Sequence, residues 1–481
     1  MKDLVVDVAI IGAGTAGMGA ARAAARHTPS IAMIEGGAYG TTCARVGCMP
    51  SKLLIAAADA VHEIQKAHQF GIEVGPPRVD GAKVMARVRS ERDRFVGFVL
   101  NSIEEDFPAV TKLRGHARFL DDHTLEVGGG AIVKADRIVI ATGSRPVAPR
   151  PWIEALGDRL IYNDDVFDWR DLPESVVVFG GGVIGLELAQ ALHRLGVRIR
   201  LFGKDGAVGP LSDPQVRDYA ARTFTAAMPF DPNADVREVS REGEAVRIRF
   251  LDRDGSEKIE RFQWLLAATG RAPNVDKLGL ENTTLPLDAR GVPLFSRTTG
   301  QIGASHVFIA GDANAEVALL HEAADEGRIA GDNAGRFPDV RERPRRVEIS
   351  VTFSDPQIAM AGLSLREIEA RGFDYEAGEV SFENQGRSRV MLKNKGLLRV
   401  YGQHGTGLFL GAEMIGPAAE HLAHLLSWAA QAGLTVQEMI DSPFYHPVVE
   451  EGLRTALRNL NRKLRMGPIP VEQCLDCGPG A

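Results

Sequence analysis

Two stretches of the chain share one pattern of apolar and glycine positions. Residues 6–17 read VDVAIIGAGTAG, and residues 175–185 read SVVVFGGGVIG. In each, a run rich in β-branched residues ends in GxGxxG, and an Ala- or Leu-rich stretch with helical periodicity follows, at residues 18–26 and 186–195. This order predicts a strand, a tight glycine turn and a helix, the local arrangement that binds a dinucleotide.

The first glycine turn carries the fuller signal. Gly12, Gly14 and Gly17 allow a sharp turn and let the backbone approach a pyrophosphate at the helix N-terminus. A second strand, predicted at residues 30–34, ends at Glu35, where a carboxylate can hold a ribose hydroxyl. The alternative is a tight turn beside an ordinary strand-end charge. The combination favours a dinucleotide site.

The second glycine turn lacks such an acid. The strand predicted after it ends in Gly203 and Lys204. Lys204, with Arg198 and Arg200 nearby, could attract the 2′-phosphate of NADP, whereas Asp205 would repel it. The alternative is that the two arginines lie on a solvated strand face, so NADP is allowed without being required. The glycines of this turn are Gly180, Gly182 and Gly185.

Three further predicted strands end in residues that are typical of dinucleotide-binding domains. Residues 138–143 (IVIATG) and 265–270 (LLAATG) match each other, as places where the chain passes between two nucleotide-binding domains. Residues 306–312 (HVFIAGD) predict a strand that ends in Gly-Asp, with a helix from about residue 315. An acid at a helix start can hold a polyol hydroxyl, although Gly-Asp alone is more often a turn. The candidate cofactor residues here are Thr142, Gly143, Gly270, Gly311 and Asp312.

The pattern changes after residue 346. Short strand-like runs and two helices follow, which predict an α+β domain of antiparallel strands with helices on one face. The predicted strands are residues 347–353, 378–382, 390–393 and 397–401, and the predicted helices are residues 417–432 and 450–464.

Composition narrows the class of protein. The chain has 481 residues with a net charge of −7, so no basic excess indicates nucleic-acid binding. No apolar run reaches the roughly 18 residues that a membrane helix needs. The N-terminal apolar run is short and interrupted by Asp7, which favours a buried strand over a signal peptide. A cytoplasmic location is therefore expected. With 4 cysteines, the chain is not a disulfide-rich secreted scaffold.

The strongest local signal is the pair Cys43 and Cys48, in a segment that ends at Lys52. A straight helix would separate residues five apart by about 7.5 Å, beyond the usual disulfide limit of about 6.8 Å, so the segment must bend. Gly47 supplies that freedom, and Cys48 then precedes a helix N-terminus, which favours a thiolate. The pattern favours a redox disulfide over a zinc half-site or two buried thiols, and no metal site is predicted.

Taken in order, these motifs resemble the flavoprotein pyridine-nucleotide disulfide oxidoreductases, the family of dihydrolipoamide dehydrogenase, glutathione reductase and mercuric reductase. The resemblance extends to about residue 464. It implies an α/β fold with two Rossmann-like domains, for FAD and NAD(P), and a C-terminal α+β dimerisation domain. The implied domains are residues 1–147 (FAD, first part), 148–272 (NAD(P)), 273–346 (FAD and central part), 347–466 (dimerisation) and 467–481 (a tail).

The same resemblance implies the chemistry. Cys48 would face the flavin and Cys43 would form the mixed disulfide with substrate, while hydride passes between NAD(P) and flavin N5. His446, oriented by Glu451, would act as acid and base on the partner subunit's disulfide, so a homodimer is implied. The FAD site would include Gly12, Gly14, Gly17, Glu35, Thr42 and Asp312. The implied pair near flavin N5 is Lys52 and Glu187, although the alternative is a simple buried salt bridge.

The substrate is implied less sharply. Ser51, between Pro50 and Lys52, resembles the form found in dihydrolipoamide dehydrogenases and mercuric reductases. With the overall resemblance to dihydrolipoamide dehydrogenase, a lipoyl-like small-molecule or protein-bound disulfide is expected. Phe444 and Tyr445 depart from the small or His residues common there in lipoamide enzymes. A second pair, Cys474 and Cys477, resembles the C-terminal dithiols of mercuric reductases and large thioredoxin reductases, although those cysteines are often adjacent. A relay is therefore one alternative, and a dispensable tail with two incidental thiols is the other. For the chain as a whole, another alternative is a nucleotide-sensing flavoprotein without turnover.

Overall fold

The computed structural model describes residues 3–465 of the chain. Its strands are β1 (Leu4–Ile11), β2 (Ile31–Glu35), β3 (Thr111–Arg114), β4 (Ala117–Phe119), β5 (Thr124–Val127), β6 (Ala131–Ile140), β7 (Ser144–Pro146), β8 (Leu160–Ile161), β9 (Ser175–Phe179), β10 (Arg198–Phe202), β11 (Phe230–Asp231), β12 (Asp235–Glu242), β13 (Ala245–Leu251), β14 (Glu257–Phe262), β15 (Trp264–Ala267), β16 (Arg271–Pro273), β17 (Val307–Ile309), β18 (Ile349–Thr352), β19 (Gln357–Gly362), β20 (Tyr375–Ser381), β21 (Leu397–Gln403) and β22 (Phe409–Gly416).

The α-helices are α1 (Thr15–Ala24), α2 (Thr42–Val46), α3 (Cys48–Lys66), α4 (Gly81–Glu105), α5 (Arg150–Leu156), α6 (Asn163–Val166), α7 (Val183–Arg194), α8 (Pro214–Ala227), α9 (Leu320–Arg336), α10 (Leu365–Ala370), α11 (Gly386–Val390), α12 (Ala419–Gln431), α13 (Val436–Asp441) and α14 (Glu450–Lys463). Short 3₁₀ helices lie at Ala67–Phe70, Gly157–Arg159, Leu280–Asn282, Gly311–Asn314 and Phe382–Asn384.

The first sheet has β1 near its centre. Its parallel strands run in the order β3-β2-β1-β6-β17, and the first part of β6 also pairs with the antiparallel hairpin β4-β5. Val8 and Ile10 point to opposite faces of β1 from Ala9, and all three are fully buried. Burial on both faces is typical of a parallel sheet covered by helices and loops. The carboxyl ends of its strands bring the first glycine turn and Glu35 to one edge.

The second sheet repeats this plan. Its strands run β11-β10-β9-β15-β8 and are all parallel, with the second glycine turn directly after β9. The pairing registers also correspond. Ile11 pairs with Ile34 in the first sheet and Phe179 pairs with Phe202 in the second, each one residue before the first glycine of its turn. The two dinucleotide-type domains are therefore structural repeats.

Glycines bring α9 close to α1 on the first sheet. A Cβ atom added at Gly327 would lie 2.2 Å from the Ala16 carbonyl oxygen, and one at Gly331 would lie 2.2 Å from that of Ala20. No side chain fits at either position without moving backbone. The helix that follows the Gly-Asp segment is therefore held against the helix that follows the first glycine turn.

A two-stranded ribbon connects the two domains. Strand β7 leaves the first domain, β16 returns to it, and they pair antiparallel, with Ser144 opposite Pro273. The ribbon is reinforced by the Arg145 guanidinium, which lies 2.8 Å from Asp276. In the sequence between β7 and β16, the second domain also contains an antiparallel sheet, β12-β13-β14. Both crossings between domains therefore occur side by side.

The C-terminal part is an antiparallel sheet with helices. Its strand order is β18-β19-β22-β21-β20. Helices α12 and α14 share one apolar cluster with it, through residues such as Leu422, Leu426 and Leu457. A second, smaller cluster joins α10 to Tyr401 and Leu410. The α/β and α+β classes predicted from the sequence are confirmed.

Several element predictions were wrong in detail. Residues 390–393 are not a strand, because α11 ends at Val390 and Leu392 has φ +55°. The helix expected from residue 315 begins at Leu320, after a 3₁₀ turn that ends with Ala315 at φ +61°. Strands β19 (QIAMAG) and β22 (FLGAEMIG) were not predicted, because polar and apolar residues do not alternate clearly along them. The domain boundaries stay predictions.

Candidate active site

The two cysteines lie at the junction of α2 and α3. Helix α2 ends at Val46 and α3 begins at Cys48, so the chain changes direction at Gly47, where the sequence predicted a bend. The Thr41 hydroxyl caps α2 by accepting a hydrogen bond from the Ala44 N–H at 3.2 Å. Cys43 and Cys48 are both present as thiols, and their sulfur atoms share a hydrogen bond. The structure therefore brings the predicted pair together.

The two thiols have opposite acidities. The hydrogen bond from Cys43 is the main cause that lowers the pKa of Cys48 to about 6, against an opposing effect of burial. The Lys52 ammonium lowers it further, while Glu187 raises it. The pKa of Cys43 is raised, by its hydrogen bond to Cys48 and by burial. Cys48 is therefore the more acidic thiol of the pair, and Cys43 is the one that holds its proton more tightly.

The cysteine segment is held from the second domain by Asn163. This residue begins α6 and is 5% exposed. Its side-chain amide donates a hydrogen bond to the Val46 carbonyl oxygen at 3.0 Å. On the other side, the Ser51 hydroxyl donates to the Cys48 carbonyl oxygen at 3.0 Å. The backbone on both sides of Gly47 is thus fixed by polar side chains.

Lys52 and Glu187 form an ion pair between α3 and α7. The Lys52 ammonium lies 2.9 and 2.8 Å from the two carboxylate oxygens of Glu187, which is 4% exposed. The Phe353 N–H donates to Glu187 at 2.8 Å, and the Phe353 ring lies 4.6 Å from the ammonium. The structure therefore joins the predicted pair and adds Phe353, which no sequence motif had indicated.

The first glycine turn is closely packed except at its centre. A Cβ atom added at Gly12, which has φ +113°, would lie 2.2 Å from the Ala141 carbonyl oxygen. One at Gly17 would lie 1.9 Å from the Gly12 carbonyl oxygen, whereas one at Gly14 would meet nothing within 4 Å. The Glu35 carboxylate accepts hydrogen bonds from the N–H groups of Ala13 at 2.8 Å and of Gly37 at 2.6 Å. The turn therefore has open space at the N-terminus of α1.

The second glycine turn has the same shape. A Cβ atom at Gly180, which has φ +119°, would lie 2.1 Å from the Ala268 carbonyl oxygen, and one at Gly185 would lie 1.8 Å from that of Gly180. A Cβ atom at Gly182 would again meet nothing within 4 Å. In both turns, the outer glycines permit close packing and the middle glycine faces open space.

The segments that connect the domains converge beside the first turn. The Ser144 hydroxyl donates to Asp312 at 2.6 Å, and the Arg271 guanidinium donates to the Ser144 hydroxyl at 2.8 Å. The Gly311 N–H donates to Glu326 on α9 at 2.7 Å. Asp312 is thus fixed by both crossings between the domains and, through Gly311, by α9. The neighbouring predicted residues Gly143 and Gly270 have φ +68° and +119°, and Thr42 is exposed at the start of α2.

The two arginines after the second glycine turn lie close to an acidic residue of β14. Arg200 donates to Glu260 at 2.5 Å, and Arg198 lies 3.6 Å from the same carboxylate and 4.4 Å from the Phe262 ring. The prediction left open whether they attract a phosphate or lie on a solvated face. In the structure Arg200 lies partly buried against β14, whereas the Arg198 side chain is 54% exposed. Lys204 is exposed, and no ion pair joins it to another residue of the described chain.

His446 and Glu451 form a pair at the start of α14. The imidazole Nδ1 lies 2.9 Å from a Glu451 carboxylate oxygen, and the Val448 N–H donates to the other oxygen at 3.1 Å. Although burial acts to raise it, the pKa of Glu451 is lowered by these hydrogen bonds. The His446 side chain is 73% exposed. Within residues 3–465, no hydrogen bond or ion pair joins it to either thiol.

The residues present fit a dinucleotide at the first turn. Gly14 and Gly143 both face open space, so neither position is filled by the protein itself. Directly before Gly143 in the sequence, the Thr142 hydroxyl is buried and has no hydrogen-bond partner within the described chain. A buried polar group without a partner is costly, and a bound phosphate or flavin could satisfy it. FAD would be held by this turn, by Glu35 and by Asp312.

Comparison with known proteins decides the family. Residues 6–327 match the model of the pyridine nucleotide-disulphide oxidoreductases, and residues 349–457 match the dimerisation domain of the same family. The chain belongs to the pyridine nucleotide-disulphide oxidoreductases. Members of this family are enzymes that use FAD and NAD(P)H.

Related proteins align with this oxidoreductase along nearly its whole length. A mercuric reductase of Streptomyces lividans is 32% identical over 470 residues, covering 94% of this chain and 95% of the relative. Dihydrolipoyl dehydrogenase 2 of Haloarcula marismortui is 29% identical over 462 residues, covering 94% and 95%. The resemblance to this family is therefore confirmed.

Solved structures share the fold of this oxidoreductase. LpdA from Mycobacterium tuberculosis has a TM-score of 0.80 at 24% identity, covering 95% of this chain and 100% of the other. RclA from Escherichia coli, a flavoprotein disulfide reductase induced by HOCl, has a TM-score of 0.78 at 22% identity, covering 94% and 99%. The dimerisation domain implies a homodimer. Within residues 3–465, no helix has the length and apolar character needed to cross a bilayer.

Sequence reasoning missed the residues that support the site from a distance. Asn163, Phe353 and Glu326 contact the cysteine segment, the Lys52 pair and the Gly-Asp segment, but none belongs to a motif. Only the polar run Asn163-Asp164-Asp165 offers any local signal in the sequence. The second pair, Cys474 and Cys477, lies outside the described residues.

Proposed function

We propose that Cys43 and Cys48 form the redox-active disulfide of this oxidoreductase, and that it exchanges electrons between NAD(P)H and a lipoyl-like disulfide. The observation that carries this proposal is the position of the two thiols at the junction of α2 and α3, where their sulfur atoms share a hydrogen bond that shifts their pKa values in opposite directions. A dithiol holding one thiolate and one proton is ready to close into a disulfide. FAD, when bound, supplies the two-electron carrier between the nicotinamide and this dithiol.

The proposed exchange with substrate has two steps. The Cys43 thiol gives its proton to His446, and its sulfur attacks one sulfur of the substrate disulfide, which forms a mixed disulfide and releases one substrate thiolate. The Cys48 thiolate then attacks the Cys43 sulfur, which forms the Cys43–Cys48 disulfide and releases the second thiolate. His446 and solvent supply the protons of the product thiols. The substrate gains the two electrons that the enzyme dithiol loses, and the reverse sequence oxidises a dithiol.

The dyad of His446 and Glu451 is proposed to manage the proton. With Nδ1 hydrogen-bonded to Glu451 at 2.9 Å, Nε2 is the nitrogen left to accept the proton from Cys43. Because His446 is 73% exposed in one chain, we propose that it acts on the thiols of a second chain across the homodimer. An isolated chain would then bind cofactors and lack disulfide turnover.

The proposed substrate class is a lipoyl-type disulfide. Dihydrolipoyl dehydrogenases are similar to this chain along nearly their full length, which supports the proposal. Tyr445 is 81% exposed directly before His446, and Phe444 lies under the Arg454 guanidinium at 5.5 Å. These rings would narrow the approach to His446, which favours a slender dithiol arm over a bulky peptide disulfide.

A second candidate is reduction of mercuric ion. It is favoured by the 32% identity to the Streptomyces lividans mercuric reductase and by the tail pair, Cys474 and Cys477, in the sequence. In this case the tail would pass its cargo to Cys43 and Cys48. Truncation after Met466 separates the candidates, because the lipoyl function predicts unchanged turnover and the relay predicts its loss.

Stopped-flow absorbance tests the proposal directly. The enzyme is reduced with NADH or NADPH and then mixed with lipoamide, glutathione disulfide, oxidised thioredoxin or Hg(II). We expect fast reoxidation by lipoamide. Cys43→Ser should abolish that reoxidation but keep reduction by the nucleotide and a long-wavelength charge-transfer band, since Cys48 remains. Full lipoamide turnover by Cys43→Ser would refute the assigned roles.

We further propose a cytoplasmic location, because a dithiol that must return to the reduced state suits a compartment whose thiols are kept reduced. Cell fractionation with an antibody against the chain tests this. Recovery in an extracytoplasmic fraction would contradict it.

A further inference from the structure

The internal repeat identifies the position that would read the ribose of the second dinucleotide. The Gly12 N–H donates to the Ile34 carbonyl at 2.7 Å, and the Gly180 N–H donates to the Phe202 carbonyl at 2.8 Å. The residues that follow those carbonyls, Glu35 and Gly203, are therefore equivalent. Glu35 provides the carboxylate expected to hold a ribose hydroxyl in the first domain, and Gly203 is its counterpart in the second.

Gly203 does more than lack a carboxylate. A Cβ atom added there would lie 2.9 Å from both the Cα and the carbonyl oxygen of Pro232. Since these are backbone atoms of the loop that follows β11, no side chain fits at Gly203 without moving that loop. An acid that selects a free 2′-hydroxyl and repels a 2′-phosphate is therefore excluded by packing.

The next residue, Lys204, is a free cation at this edge. It is exposed, and within residues 3–465 no ion pair engages its ammonium. Arg198 and Arg200 are bound by Glu260, so they contribute little to a phosphate site. Its sequence neighbour Asp205 is also exposed. Asp231 on β11 is brought near by the Gly203 N–H, which donates to the Asp231 carbonyl oxygen at 2.7 Å, and the Asp231 carboxylate accepts the Asn233 N–H at 3.1 Å.

We propose that Lys204 binds the 2′-phosphate of the adenine ribose, so that this enzyme uses NADPH in preference to NADH. The inference rests on the proposed function only in assigning the second glycine turn to the nicotinamide cofactor. A single charge-assisted hydrogen bond contributes about 1.5–3 kcal/mol, which corresponds to roughly 10- to 100-fold in affinity. Asp205 opposes part of this gain by repulsion.

Binding of nucleotide fragments to the FAD-loaded enzyme tests the inference without turnover. Isothermal titration with adenosine 2′,5′-bisphosphate and with 5′-AMP gives the contribution of the 2′-phosphate as a ratio of the two dissociation constants. We expect the bisphosphate to bind about ten-fold or more tightly than 5′-AMP. Lys204→Gln should remove most of that ratio and leave 5′-AMP binding unchanged, and Asp205→Asn should increase the ratio.

Lys258→Gln is the matched control. It removes the same charge from the same domain, but Lys258 is paired with Asp252, so the ratio should not change. The ratio of kcat/KM for NADPH and NADH, measured by flavin reduction, should follow the binding ratio in all variants. Equal affinity of the wild-type enzyme for the two fragments, or a ratio that survives Lys204→Gln, would overturn the inference. Failure of the disulfide half-reaction alone would refute the proposed function and leave this result standing.

Discussion

The Lys52 ammonium contacts both carboxylate oxygens of Glu187, which lies 135 residues away in the sequence, at 2.9 and 2.8 Å. The same ammonium is one of the groups that lower the pKa of Cys48. Glu187 holds the cation in place but raises the thiol pKa itself. The acidity of Cys48 therefore depends on a balance between α3 and α7, and the larger contribution comes from the neighbouring thiol, Cys43.

The pH dependence of alkylation should separate the two thiols. Because the pKa of Cys48 is lowered to about 6, its thiolate is present at neutral pH and is lost only as pH falls through about 6. An ordinary cysteine loses reactivity below about pH 8.5. We expect iodoacetamide to modify Cys48 first in the reduced protein freed of FAD at pH 7, where Cys48 is exposed, as read by peptide mass spectrometry. Preferential modification of Cys43 would contradict the assignment.

Substitutions should rank the causes of that low pKa. Cys43→Ala removes the largest lowering influence, so we expect it to raise the pKa of Cys48 more than Lys52→Met does. Lys52→Arg keeps the charge and should change the pKa least. The measurement is the ultraviolet absorbance of the thiolate against pH. Lys66→Met, on the same helix but 3.8 Å from Asp355, is the matched control. A larger effect of Lys52→Met than of Cys43→Ala would reverse the argument.

Removing the Glu451 carboxylate should slow the reaction with the disulfide substrate and leave flavin reduction by the nucleotide unchanged. Glu451→Gln removes the charge that orients His446, so turnover with lipoamide should fall by about 100-fold, the usual contribution of general acid–base catalysis. Reduction by the nucleotide in stopped flow should be unchanged. Glu450→Gln, one residue earlier on the same helix, should retain turnover. Equal losses of lipoamide turnover in both variants would show that the loss does not depend on the carboxylate that contacts His446.

The middle glycines should control the two cofactors separately. A Cβ atom at Gly14 or Gly182 meets no protein atom within 4 Å, and each residue has an extended backbone with φ −77°. Valine should therefore be accepted by the protein and fill the space left for a dinucleotide. Gly14→Val should purify without yellow colour. Gly182→Val should keep its flavin but bind adenosine 2′,5′-bisphosphate about ten-fold or more weakly. Each variant serves as the control for the other.

Features that depend on a few neighbouring residues could be predicted from the sequence. The glycine turns, Glu35, and the pairs Cys43/Cys48 and His446/Glu451 are local, because turn geometry and short spacing determine them. A short apolar run is misleading: residues 390–393 predict a strand, yet Val390 is 64% exposed at the end of α11. Period alone does not distinguish such runs from helix ends or turns.

Contacts between distant segments could not be predicted. Asn163 reaches Val46 across 117 residues, and Phe353 reaches Glu187 across 166 residues. Each contact exists because two domains pack in one orientation, which no local pattern encodes. The pairing of Arg200 with Glu260 is similar, since it depends on where β14 lies relative to β10. The sequence therefore predicts candidate reactive residues and gives little sign of the contacts that hold them in place.

The ribbon of β7 and β16 has an architectural consequence. Since the chain enters and leaves the second nucleotide-binding domain through two adjacent strands, the ends of that domain are neighbours in space. A domain with neighbouring ends can be removed or exchanged as a cassette without cutting the host fold elsewhere. A chimaera that receives this cassette from a homologue should acquire the donor's nicotinamide preference while retaining the recipient's thiol chemistry.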